Sequence, residues 1–104
     1  MGNYVFGYIG GGMATTDEER NAAMAAWGAW FGQLGSAVVD AGNPFAGSTS
    51  VASDGSVNGG ARSGLTGYSV VEAGSLDAAA ELVKGCPILA NGGSVDVYEV
   101  FPVM

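Results

Sequence analysis

Two helix-stopping triplets, Gly42-Asn43-Pro44 and Gly85-Cys86-Pro87, divide the chain into comparable halves. In each half an apolar segment leads to a helix-start signal and a helical run, and the run ends at glycine with proline two residues on. Glycine accepts the left-handed conformation that closes a helix, and proline has no N–H with which to continue one. A chain of 104 residues punctuated in this way fits a single α+β domain spanning residues 1–104.

Residues 3–9, NYVFGYI, read as a strand with Tyr4, Phe6 and Tyr8 on one face and Val5, Gly7 and Ile9 on the other. Both faces are largely apolar, so both call for cover. Thr16 caps the first helix, and Glu19 completes a capping box. Met24, Trp27, Phe31, Leu34 and Val38 recur at intervals of three and four, which predicts one buried stripe along a helix running to Gly42. Asp54-Gly55 marks a hairpin turn between a strand near 46–53 and a short return near 56–58. LTGYSVVEA, residues 65–73, is a further strand. Ser75 caps a second helix that ends at Lys84-Gly85, and SVDVYEVF, residues 94–101, is the last strand.

The order β-α-β-β-α-β is that of a ferredoxin-like sandwich with an antiparallel sheet. Its two helices cover one face. With Gly7 and Ser69 turned toward the helices to make room for Trp27 and Phe31, the other face carries Tyr4, Phe6, Tyr8, Tyr68, Val70, Glu72, Asp96, Tyr98 and Val100. Such a face suits a homodimer interface, or an interface that also encloses a small-molecule pocket. The candidate binding residues are Phe6, Tyr8, Tyr68, Glu72, Asp96 and Tyr98. Glu72, set against apolar neighbours, is also a candidate acid.

Composition removes whole classes of chemistry. There is no histidine, hence no Ser-His or Cys-His dyad and no histidine ligand for a metal. One Cys and scattered carboxylates do not make a zinc site, and neither metal nor cofactor is expected. Ten acids against three bases, Arg20, Arg62 and Lys84, give a net charge of −7, which repels nucleic acid and anionic membranes. No apolar run approaches the roughly 20 residues a membrane helix needs. The opening MGNYVFGYIGGG lacks basic residues before its apolar segment and is not read as a secretory signal, and the lone Cys86 suits a reducing cytoplasm.

The triple glycine of YIGGGMATTDEER sits between strand and helix, as phosphate loops do. The full phosphate patterns fail, and Asp17, Glu18 and Glu19 already occupy the positive helix end, so an anion would be repelled. The loop is read as a pliable connection that a neutral ligand could touch. Cys86 follows a helix C-terminus, where a thiolate is disfavoured, and is read as a structural thiol.

The segment LTGYSVVEAGSLDAAAELVKGCPILANGGSVDVYEVFPV resembles the C-terminal half of the YCII-related family, including its DGPF branch. The residues that carry the resemblance are Gly67-Tyr68, Glu72, Ser75-Leu76-Asp77-Ala78-Ala79, Cys86-Pro87 and Gly92-Gly93-Ser94-Val95-Asp96-Val97. The YVF strand, the acidic helix start and AWGAWFGQLG extend it over nearly the whole chain. The resemblance implies dimerisation sheet to sheet as an α+β barrel with an interior cleft, in which some members carry a suspected catalytic His-Asp pair. Here Ile9 stands beside the first glycines, where similar relatives often carry histidine, Cys86-Pro87 replaces Asp-Pro, the DGPF motif itself is missing, and Asn58-Gly59-Gly60 lies in roughly its region. The fold carries over and the activity does not. Three readings stay open: a homodimer binding a small aromatic or polyketide-like molecule in the cleft, a lyase or hydrolase using Glu72 or Asp96 with a tyrosine hydroxyl, and a purely structural dimer.

Overall fold

The computed structural model of the chain describes residues 2–11 and 15–102. The elements run β1 (Gly2–Ile9), α1 (Asp17–Leu34), a 3-10 turn (Gly35–Ala37), β2 (Val38–Asp40), β3 (Thr49–Val51), β4 (Val57–Gly59), β5 (Leu65–Ala73), α2 (Leu76–Val83), α3 (Pro87–Ala90) and β6 (Ser94–Glu99). Four strands form one antiparallel sheet in the order β2-β5-β1-β6, and β3 and β4 form a separate two-stranded sheet.

The expected ferredoxin-like sandwich closing into a dimeric α+β barrel is corrected by this arrangement. The fold is α+β, but among the described residues the sheet is open, with β2 and β6 as its two edges, and does not close into a barrel. Two local causes lie behind the difference. Residues around Asp54-Gly55 do form a hairpin, but β3 and β4 pair only with each other. The strand that joins the sheet instead is Val38–Asp40, which the helical stripe had absorbed. α1 ends early because Gly35 adopts φ +55° and its N–H closes on the Phe31 carbonyl. Val38 then pairs with Val71 as a β-branched strand residue rather than a helical one.

The two faces of β1 are also the reverse of expectation, while β5 and β6 are turned as expected. Tyr4, Phe6 and Tyr8 lie beneath the helices and are buried, with Phe6 fully so. The register explains why. Tyr4 sits opposite Val71, Phe6 opposite Ser69 and Tyr8 opposite Gly67, so large rings on β1 face small residues on β5 and share one side with them. Ser69 does face the helices. Gly7 does not; it pairs with Tyr68 and Asp96 on the other side. Because β1 is apolar on both faces, alternation alone cannot say which set goes inward.

The core gathers Phe6, Trp30, Val71, Ala79, Val83 and Ile88, among others, between the sheet and its single helical layer. At 19 Å in its thinnest dimension, the molecule is one sheet and one helical layer thick. The opposite face carries no such layer, and Tyr98 there is 51% exposed. Among the described residues, no helix is long and apolar enough to cross a membrane.

Candidate functional site

α1 is well capped and poorly seated. The Thr16 hydroxyl accepts from the Glu19 N–H at 3.0 Å, as the sequence predicts. The Glu19 carboxylate turns back to Thr15, accepting from its N–H at 2.8 Å and its hydroxyl at 3.1 Å. Yet Trp30 is the one residue of α1 that is fully withdrawn from solvent, and Met24, expected in the buried stripe, is 73% exposed. Trp27, Phe31 and Leu34 pack partly against the core. The preceding turns carry Ala22, Ala23, Ala25 and Ala26, which stay exposed or half-buried.

The space left is an open groove of about 1390 Å³ between α1, the 41–45 loop, the β1–β5 pair and α3. Its walls are aromatic. The Trp27 and Tyr8 rings stand nearly perpendicular with centres 5.0 Å apart, and Trp30 packs against both, 5.7 Å from Trp27 and 6.5 Å from Tyr8. At the rim Phe45 stacks on Tyr68 at 5.8 Å. Gly42, with φ +74°, lets the 41–45 loop press against β5, since a Cβ there would run into the Tyr68 carbonyl.

A short polar relay crosses this aromatic surface. The Tyr8 hydroxyl donates to Ser69 Oγ at 2.8 Å, and Ser69 Oγ donates to the Ala41 carbonyl at 2.6 Å. Thr66 Oγ1 donates to the Tyr8 carbonyl at 3.1 Å. Burial pushes the Tyr8 phenol up to about 12, with the Ser69 hydrogen bond opposing that shift. Tyr8 is therefore a neutral phenol at physiological pH. Burial likewise raises the Cys86 thiol, with a hydrogen bond from the Ile88 backbone opposing it. Cys86 caps the short α3 from within the core, in keeping with a structural thiol. Among the described residues, no group of three His, Cys, Asp or Glu side chains could hold a metal ion.

The six candidate residues are divided by the pleat of the sheet. Phe6 and Tyr8 lie on the helical side. Tyr68, Glu72, Asp96 and Tyr98 lie on the other, in three successive rows: Tyr68 and Asp96 flank Gly7, Val70 and Tyr98 flank Val5, and Glu72 pairs with Asn3. Tyr8 and Tyr68 both line the groove, Tyr68 at its rim. Glu72 is exposed rather than set in an apolar environment. Sequence reasoning missed Trp30, Ser69 and Phe45 as parts of this site. The WGAWF spacing holds a signal for Trp30, which falls three residues after Trp27. Gly10 and Gly11 of the glycine loop also line the groove, with φ +75° and +89°. Gly12, Met13 and Ala14 of that loop lie outside the described residues.

Comparison with known proteins adds one finding. A family model described as YCII-related domain matches residues 8–104. No curated protein matches the chain.

Proposed function

The chain belongs to the YCII-related domain family, and from that premise we propose that it binds a small, flat aromatic molecule in the groove between α1 and the sheet. The observation that carries this reading is the perpendicular Trp27–Tyr8 pair beside the Tyr8–Ser69–Ala41 relay. Aromatic walls with a few fixed hydroxyls are the make-up of a small-molecule site. The Tyr8 oxygen donates its proton to Ser69 and keeps a lone pair for a ligand donor.

Binding is favoured over turnover by the chemistry of the groove. Tyr8, raised to about 12, is no base near neutral pH, the chain has no histidine, and Glu19, the one carboxylate among the described groove residues, is held below its ordinary range and so is a weak base. The exposed side chains of Glu72, Asp96 and Tyr98 form a separate candidate surface on the open face of the sheet, for a ligand or a second copy. Light scattering tells those two apart.

The test uses the indole N–H signals of the two tryptophans. Trp30 Nε1 is tied to the Leu82 carbonyl at 3.1 Å, so the two signals report different surroundings. Titration with 3-phenylpropanol is expected to move the Trp27 signal saturably and to raise the thermal midpoint. Ser69→Val should weaken that response. A Trp27 signal indifferent to the probe overturns the reading.

A further inference from the structure

Resting on the reading that the groove holds a small aromatic, we infer that its occupant is an aromatic cation, an arylalkylammonium with its ring against Trp27 and its charge directed to Glu19. Among the described residues that line the groove, Glu19 is the one with a charged side chain. None of the three basic residues lines it. Arg20 is paired with Asp17, Lys84 with Glu81 at 2.8 Å, and Arg62 lies in the loop before β5.

Glu19, Ala23 and Trp27 follow one another at intervals of four residues and all line the groove. They therefore run along one stripe of α1, with about 12 Å of helix rise from Glu19 to Trp27. A three-carbon chain between ring and ammonium, together with the reach of the two side chains, suits that interval. Ala23 between them is small enough to leave the path clear. Both Thr15 hydrogen bonds fall on Glu19 Oε2, so Oε1 is not engaged by them. Those bonds, the Thr15 N–H first, hold the Glu19 carboxyl below its ordinary range, so the charge is present at neutral pH. Trp27 offers an aromatic surface to the ligand's ring within the same groove, and the ammonium is drawn to the Glu19 carboxylate. A carboxylate ligand would meet Glu19 and a chain of net charge −7 with no groove cation to receive it.

The experiment compares 3-phenylpropylamine, 3-phenylpropanol and 3-phenylpropanoate, which share a ring and chain length and differ in charge. Affinities are read from the Trp27 indole N–H at low salt. Because Glu19 is exposed, its attraction is partly screened, and the amine is expected to bind about fivefold more tightly than the carboxylate, narrowing as salt rises. Glu19→Gln keeps the capping acceptor and should remove most of that preference, whereas Glu81→Gln, which deletes the same charge from α2, should leave it in place. Equal binding of all three probes overturns the charge assignment and leaves the groove reading standing. A preference that falls equally in both variants overturns the role of Glu19. Binding of none of the probes overturns the groove reading and the assignment together.

Discussion

α1 and α2 lie on the same side of the sheet and are both rich in alanine, yet they are held in opposite ways. α2 is eight residues long and buries Ala79 and Val83 flat against the core. α1 is eighteen residues long and fully buries only Trp30. The difference follows from how each distributes its apolar residues. In α2, Ala79 and Val83 share one face, four residues apart. In α1 the alanines and glycines circle the helix, and the large side chains cluster in its second half. The short helix is a closed part of the fold, while the long one is seated chiefly through Trp30 and borders the groove from Glu19 to Gln33. A helix that seats so few of its side chains is where this fold has room for a ligand.

Substitutions in the two helices and their supports test this contrast. Trp30→Ala should do most, because Trp30 stacks on Phe6 at 6.1 Å and donates its N–H to the Leu82 carbonyl in α2. A loss of about 3–5 kcal/mol is expected in urea unfolding, enough to release α1 from α2. A loss below about 1 kcal/mol would mean α1 is anchored elsewhere.

High pH comes next. The Tyr8 phenol is raised from 10 to about 12 in the fold, so the folded state keeps a proton that the unfolded chain gives up. Its contribution is present below pH 10 and fades as pH rises toward 12, up to about 2–3 kcal/mol in all. Tyr8→Phe should flatten that part of the stability curve. Cys86, common to both proteins, acts with the same sign.

Ala79→Leu should then cost about 1–3 kcal/mol by overpacking a site with no exposed surface. The paired cap variants are subtler. Ser75→Ala removes the acceptor for the Ala78 N–H at 3.1 Å and should lower global stability by about 1 kcal/mol. Thr16→Ala removes an equivalent cap from α1, but its effect should appear as faster amide exchange in the first turn, with global stability nearly unchanged. Equal global losses would show that α1 is seated along its whole length. Met24→Gln, at a position 73% exposed, should change stability by less than about 0.5 kcal/mol.

The contrast also marks what the sequence could and could not convey. Local signals were legible: Thr16 and Ser75 cap as their types suggest, β5 runs over the residues its pattern delimits, and Gly85 follows the end of α2. Helix length in α1 was not, because Val38 fits a helical period and a strand equally well, and Gly35 decides between them through its backbone. Nor was the inner face of β1, where Tyr4, Phe6 and Tyr8 compete with Val5 and Ile9. That choice is settled only by pairing with β5, a contact more than sixty residues away along the chain for Phe6 and Ser69. Of the candidate site, Tyr8 and Tyr68 line one groove, but the relay through Ser69 depends on a strand register that no local pattern encodes.

The β3–β4 hairpin bears on how this chain can be handled. It is fastened by its own contacts, with Thr49 Oγ1 donating to the Asn58 carbonyl and the Ser56 N–H donating to Asp54, and it pairs with no strand of the main sheet. Its tip at Asp54-Gly55 is thus a natural point for splicing in a fluorophore tag or an affinity peptide. Cargo placed there leaves the main-sheet ladders uncut, which makes the hairpin a ready-made handle for immobilising the protein in ligand screens.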